Sequence, residues 1–230
     1  MMALIDQYWL YFLVGQYPEG PLGGLALTVL LAALGLVLSL PLGLVFGMAR
    51  LSPWRSVRWP ITALVYVVRG TPLLMVVFWA YFFLPSVTGF KTGQFGTMLT
   101  ALVIFDAVYL AEIVRAGVQS LPKGQVEAAR SLGLSHLATL RLILLPQALR
   151  RMLPSLVTQF VATIKETSLG YIIGLTDVSF IASQINTQAL TKPAQVYFLL
   201  ALTYFILCFG LSRCAWWLER RQTSPSRAAP

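Results

Sequence analysis

Residues Gly20 to Ala49 read GPLGGLALTVLLAALGLVLSLPLGLVFGMA, thirty residues without a charged side chain. As a helix at about 1.5 Å per residue this stretch outruns the ~30 Å hydrocarbon layer of a bilayer. Two more uncharged runs follow, Gly70 to Phe90 and Pro193 to Ser212. The whole chain is 57% apolar and 11% charged, against about 25% charged in soluble domains. So few charges do not cover a soluble surface, so the surrounding solvent is lipid. Two further spans are interrupted by charge. One runs from about Phe95 to Val114 around Asp106 and Glu112, the other from about Met152 to Gly174 around Lys165 and Glu166. The expected fold is an all-α integral membrane protein of about five transmembrane helices, near 22–49, 59–84, 95–118, 151–174 and 194–217. They make one domain, 1–221, followed by a polar tail, 222–230 (QTSPSRAAP), whose composition predicts disorder.

The net charge of +9 is spread between apolar runs and forms no single patch, which argues for a topology signal and against nucleic acid. Thirteen of the 17 basic residues fall between spans one and two, between spans three and four, or after span five. The opposite loops hold Lys91 and Lys192, and the N-terminal stretch holds Asp6 and Glu19. The positive-inside rule then puts the N-terminus outside and the C-terminus in the cytoplasm. Trp54, Trp59, Trp216 and Trp217 flank the cytoplasmic ends of spans as an interfacial belt. Tyr8 to Val14 is too short, and lacks the preceding positive charge, for a secretory signal. Cys208 and Cys214, six residues apart on one helix, point to different faces, so neither a disulfide nor a metal site is expected. The single histidine, His136, is expected to have no special role.

The long cytoplasmic loop, 119–147, contains Glu127-Ala-Ala-Arg-Ser-Leu-Gly133, nine residues, then Ile143-Leu-Leu-Pro146. Local rules predict two short helices. Gln125 to Leu132 carries helix formers, and Gly133 suits the left-handed residue that ends a helix. Ser135 can cap the next helix, which Pro146 is expected to punctuate. The small side chains of Ala128 and Ala129 admit close approach of a partner; a plain connector helix on the membrane surface is the alternative.

This loop resembles the EAA loop of ABC importer permeases at every fixed position. Arg69-Gly-Thr-Pro-Leu-Leu74, Tyr109-Leu-Ala-Glu-Ile-Val-Arg-Ala-Gly117, Gly124-Gln125, Pro146-Gln147-Ala148 and Lys165-Glu-Thr-Ser-Leu169 look like the polar amino-acid uptake branch. Within it the chain is most similar to glutamate/aspartate or general amino-acid permease subunits. The resemblance implies that Glu127, Ala128, Ala129 and Gly133 couple to a separate ABC ATPase subunit, present as a dimer and carrying ATP and Mg. It also implies a second permease subunit (a paralogue or second copy), an extracytoplasmic substrate-binding protein, and multi-pass residence in the bacterial cytoplasmic (inner) membrane. The sequence has no G-x-x-x-x-G-K-[ST] phosphate loop, so no cofactor is expected on this chain and no enzyme activity of its own. A secondary transporter would have no use for the loop pattern. A membrane enzyme lacks a plausible residue set, with one His and two poorly spaced Cys.

Ionisable groups inside a bilayer cost at least ~2.5–3.5 kcal/mol each and so call for a partner or a role. On upright helices, Arg69 lies about 16 Å from the cytoplasmic end of its span, Asp106 about 13 Å and Lys165 about 21 Å. Glu112, one turn from Arg115, is shallower and expected to pair with it. Gly70 and Pro72 break the backbone beside Arg69, which membrane depth tolerates where backbone lines a polar cavity or is buried in protein. Arg69, Asp106, Lys165, Glu166 and Thr167 are the candidate substrate residues. Arg69 or Lys165 suits an amino acid's carboxylate and Asp106 its ammonium. The competing reading makes these groups partners of each other or of backbone, as structural glue.

Overall fold

The computed structural model describes residues 2–89, 91–188 and 193–223. In chain order the helices are α1 (Met2–Val14), α2 (Gly24–Arg50), α3 (Arg55–Arg69), α4 (Leu73–Thr88, with a π turn at Trp79–Phe83), α5 (Gln94–Gln119), α6 (Lys123–Ser131), α7 (Leu145–Glu166), α8 (Val178–Gln188) and α9 (Pro193–Thr223). A short helical lead-in, His136–Thr139, runs through a π turn, Leu140–Leu144, into α7, and a 3-10 segment, Thr167–Ile173, extends it. No strand forms among the described residues.

Three helices, α2, α5 and Pro193–Trp217 of α9, are long and apolar enough to cross a membrane. The expected second span departs from a straight crossing. Its two arms, α3 and α4, meet at 100°, with Thr71 and Pro72 at the corner. Neither arm alone reaches the ~20 residues that a crossing takes. The break follows from chemistry: Pro72 has no N–H to continue the ladder and takes an extended conformation that starts α4. α7, the expected fourth span, has sufficient length at 22 residues, but Arg150, Arg151, Lys165 and Glu166 keep it from being apolar.

The core is a close pairing of α2 and α5, the most extensive contact in the molecule. Its physical basis is small residues on one face of α2. A Cβ on Gly43 would stand 2.5 Å from that of Leu110, and one on Gly47 2.6 Å from that of Val114. Glycine there lets the two backbones approach, the way membrane helices gain packing without a hydrophobic driving force. α7 packs against α5 and against α9.

Two helices were not anticipated. α1 and α8 pack together, joining Phe12 to Val178, Ile181 and Ile185, with Val196 of α9 completing the cluster. Pro146 also differs from expectation, since the helix runs through it instead of stopping. The π turn immediately before it widens the backbone where the proline ring would meet the carbonyl four residues back. Pro85 follows the π turn of α4 in the same way. Nearly all of the polar tail, 224–230, lies outside the described residues, as does Lys192.

Candidate functional site

The loop helix forms as its local signals dictate. α6 ends at Ser131, and Gly133 takes φ +78°. The N–H of Gly133 donates to the Arg130 carbonyl (2.9 Å) and that of Leu134 to the Ala129 carbonyl (3.1 Å), the paired bonds of a Schellman end. The Ser135 hydroxyl then accepts the Ala138 N–H at 3.2 Å, capping the lead-in of α7. Glu127, Ala128 and Gly133 are exposed, whereas Ala129 is buried against its own chain. Only the first alanine therefore offers the close approach expected of both. Leu132 is 81% exposed and Leu137 58%. These apolar side chains escaped the sequence reading, although leucine on either side of a glycine break in a polar loop was a readable signal.

α6 is fastened to α7 and to α5, and the segment after it to α2. The amides of Gln125 and Gln147 exchange two 3.0 Å hydrogen bonds, joining it to α7. Leu121 and Val126 pack with Val114 and Val118 of α5. His136, expected to be idle, sits 3.3 Å from the Leu51 carbonyl and links the lead-in to the end of α2.

The candidate substrate residues divide into three groups. Asp106 is fully buried between α5 and α7, where it accepts from Gln159 (2.8 Å) and Thr163 (3.1 and 3.0 Å). Its partners were not foreseen; they bond the carboxylate that the sequence reading offered to an ammonium. Arg69 goes elsewhere. It lies 3.6 Å from Glu112, which also pairs with Arg50 and Arg115, and its guanidinium sits over the Tyr109 ring at 5.2 Å. The depth estimate for Arg69 assumed an upright helix. The structure sets this residue, at the end of α3, beside Glu112. Three arginines around one carboxylate leave a net positive cluster that joins α2, α3 and α5.

Lys165, Glu166 and Thr167 share one turn where α7 tightens into the 3-10 segment. Lys165 is exposed. One carboxylate oxygen of Glu166 is enclosed and has no hydrogen-bond partner, a costly state for a charged group. Thr167 is buried, its hydroxyl donating to the Ile164 carbonyl at 2.7 Å. This turn thus offers a cation and an unsatisfied anion side by side. Among the described residues no group of three or more His, Cys, Asp and Glu stands together as a metal site.

Residues 39–224 match the family model described as "Binding-protein-dependent transport system inner membrane component". The chain belongs to this family. Relatives of this membrane component include the probable glutamine ABC transporter permease protein GlnP of Bacillus subtilis (strain 168), 39% identical over 216 residues, covering 91% of this chain and 99% of the relative. The glutamate/aspartate import permease protein GltK of Escherichia coli O157:H7 is 35% identical over 207 residues, covering 87% and 92%. Among solved structures, an amino acid ABC transporter with histidines superposes with a TM-score of 0.84 at 29% identity, over 96% of this chain and 98% of that one. The membrane component's loop helix, buried Asp106 knot and Lys165 turn are thus features of a permease subunit.

Proposed function

We propose that this chain is the permease subunit of an ATP-driven importer that moves a polar amino acid across the cytoplasmic membrane of a bacterium. It crosses five times, with the N-terminus outside and α6 in the cytoplasm. A separate ATPase dimer binds ATP and Mg and docks on α6. A second permease subunit completes the pathway, and an extracytoplasmic binding protein delivers the substrate. The carrying observation is α6 itself, which with its C-cap shows Glu127, Ala128 and Leu132 to the outside while being fastened to α5 and α7 behind, the lead-in of α7 being tied in turn to the end of α2. A push on such a helix reaches the spans as a rigid displacement.

Within the membrane the Lys165 turn receives the amino acid's head group, Lys165 taking the α-carboxylate and Glu166 the α-ammonium, with Thr167 holding the turn. Asp106 and Arg69 support this site from behind: Asp106 locks α7 to α5, and Arg69 ties the bend of α3 to α5. The names of the relatives, which carry glutamine, glutamate and aspartate, favour a polar substrate. The test is uptake by the complex reconstituted in liposomes with its ATPase and binding protein. Because Lys165 is exposed, Lys165→Ala leaves packing intact, and uptake is expected to fall by at least about tenfold, as loss of a charge-assisted hydrogen bond implies. Unchanged uptake in this variant contradicts the head-group assignment, and uptake without the ATPase contradicts the importer.

A further inference from the structure

Beyond the Lys165 turn, a cavity of about 360 Å³ opens where the 3-10 segment meets α8 and α9. Six hydroxyl-bearing side chains line it, Ser168, Tyr171, Ser179, Ser183, Tyr197 and Tyr204, together with Leu169 and Leu200. They arrive in pairs from three elements. Ser168 and Tyr171 are three apart on the 3-10 segment, Ser179 and Ser183 four apart on α8, and Tyr197 and Tyr204 seven apart on α9. Each spacing returns to one face, so every element turns two hydroxyls to the same space. Outside the cavity α9 exposes Phe198, Phe205, Ile206 and Phe209, so its polar groups gather locally.

Two of these hydroxyls are connected, and a third reaches the turn. Ser179 and Tyr204 lie 3.1 Å apart, and the Ser168 hydroxyl donates to the Lys165 carbonyl at 2.6 Å. The cavity is therefore continuous in chemistry with the turn that carries Lys165 and Glu166. No Lys, Arg, Asp or Glu lines it. Behind Ser179, Asp177 is fully buried, one oxygen accepting the Phe180 N–H (2.9 Å) and the other unpartnered. That carboxylate makes the cavity unwelcoming to a second negative charge. Hydroxyls both donate and accept, which matches a carboxamide or a hydroxyl. A carboxylate accepts only, and a charged group of either sign loses its hydration here with no counter-charge on the cavity wall, Asp177 lying behind it.

We infer that this hydroxyl-lined cavity receives the side chain of the transported amino acid and selects a polar, uncharged one. The inference rests on the head-group site proposed at Lys165 and Glu166. The experiment is equilibrium binding of radiolabelled L-glutamine, L-glutamate, L-arginine and L-alanine to the permease–ATPase complex in lipid nanodiscs, without binding protein. The expected order puts glutamine at least about tenfold tighter than glutamate or arginine. Tyr204→Phe and Ser183→Ala each weaken glutamine by about three- to tenfold. Alanine stays unchanged in both, because a methyl group does not reach the hydroxyls, and its binding reports an intact fold. Lys165→Ala weakens glutamine and alanine together. Tighter binding of glutamate or arginine, or hydroxyl variants that affect glutamine and alanine alike or not at all, overturns the cavity assignment. If Lys165→Ala changes neither ligand, the head-group site falls instead. No binding of any of the four to the wild type overturns both.

Discussion

Asp106 illustrates how this chain keeps a carboxylate inside a membrane protein. Its two oxygens accept from Gln159 and Thr163, one helical turn apart on α7, so a single buried group sets the register of α5 against α7. Thr163→Val keeps the shape and removes one donor. It is expected to cost about 1 kcal/mol, within the range measured for hydrogen bonds between membrane helices, read as a lower unfolding midpoint of the purified permease complex. Thr163→Ser, which retains the donor, is expected to cost less; equal losses would assign the effect to packing. The sequence showed that Asp106 needed a partner, but not which one. Gln159 and Thr163 are ordinary polar residues 53 and 57 positions away, and nothing local marks two helices as neighbours in that register. Arg69 was legible as an unusual residue, but its approach to Glu112 was not, because that depends on how α3 packs against α5.

At the scale of elements, local rules served well where the structure is local. The Gly133 ending of α6 and the Ser135 cap depend on residues within one turn and form as expected. The break at Gly70 to Pro72 likewise follows from the missing proline N–H, although the 100° angle between its arms comes from what each arm packs on. α1 and α8 were illegible because each is short and held by tertiary packing, on the other and on α2. Pro146 misled because a π turn, itself invisible in sequence, relieves the clash. The α2–α5 seam was readable but unread: Gly35, Ser39, Gly43 and Gly47 recur every fourth residue and are all partly or fully buried. Gly43→Ala would set a methyl group 2.5 Å from Leu110, and its overpacking is expected to cost about 1–3 kcal/mol. Gly210→Ala on α9, with nothing within 4 Å, is expected to cost nothing. Thermal unfolding of the two variants in the same lipid checks this, and equal behaviour would contradict the close seam.

At the scale of the molecule, the chain divides its labour by position. The exposed surfaces of α2 and α9 are rich in Val, Leu and Phe and suit lipid. The Lys165 turn, where the proposed head-group site lies, sets an exposed lysine beside a carboxylate with an unpartnered oxygen. α6 exposes Glu127 and Ala128 yet is held by amide and apolar contacts to α7 and α5. Composition made the lipid solvent plain, and the basic loops carried a topology. The joining of the Lys165 turn to the loop helix through the length of α7 was hidden, because continuity past Pro146 was hidden. The central claim is that ATP hydrolysis on a separate subunit reaches the pathway through α6. It is tested most directly by ATPase activity of the complex in lipid, with amino acid and binding protein added, comparing wild type with Glu127→Lys. The account predicts stimulation in the wild type and its loss in the variant, since a reversed charge sits on the face offered to the ATPase. Full stimulation in Glu127→Lys would contradict coupling through this face of α6.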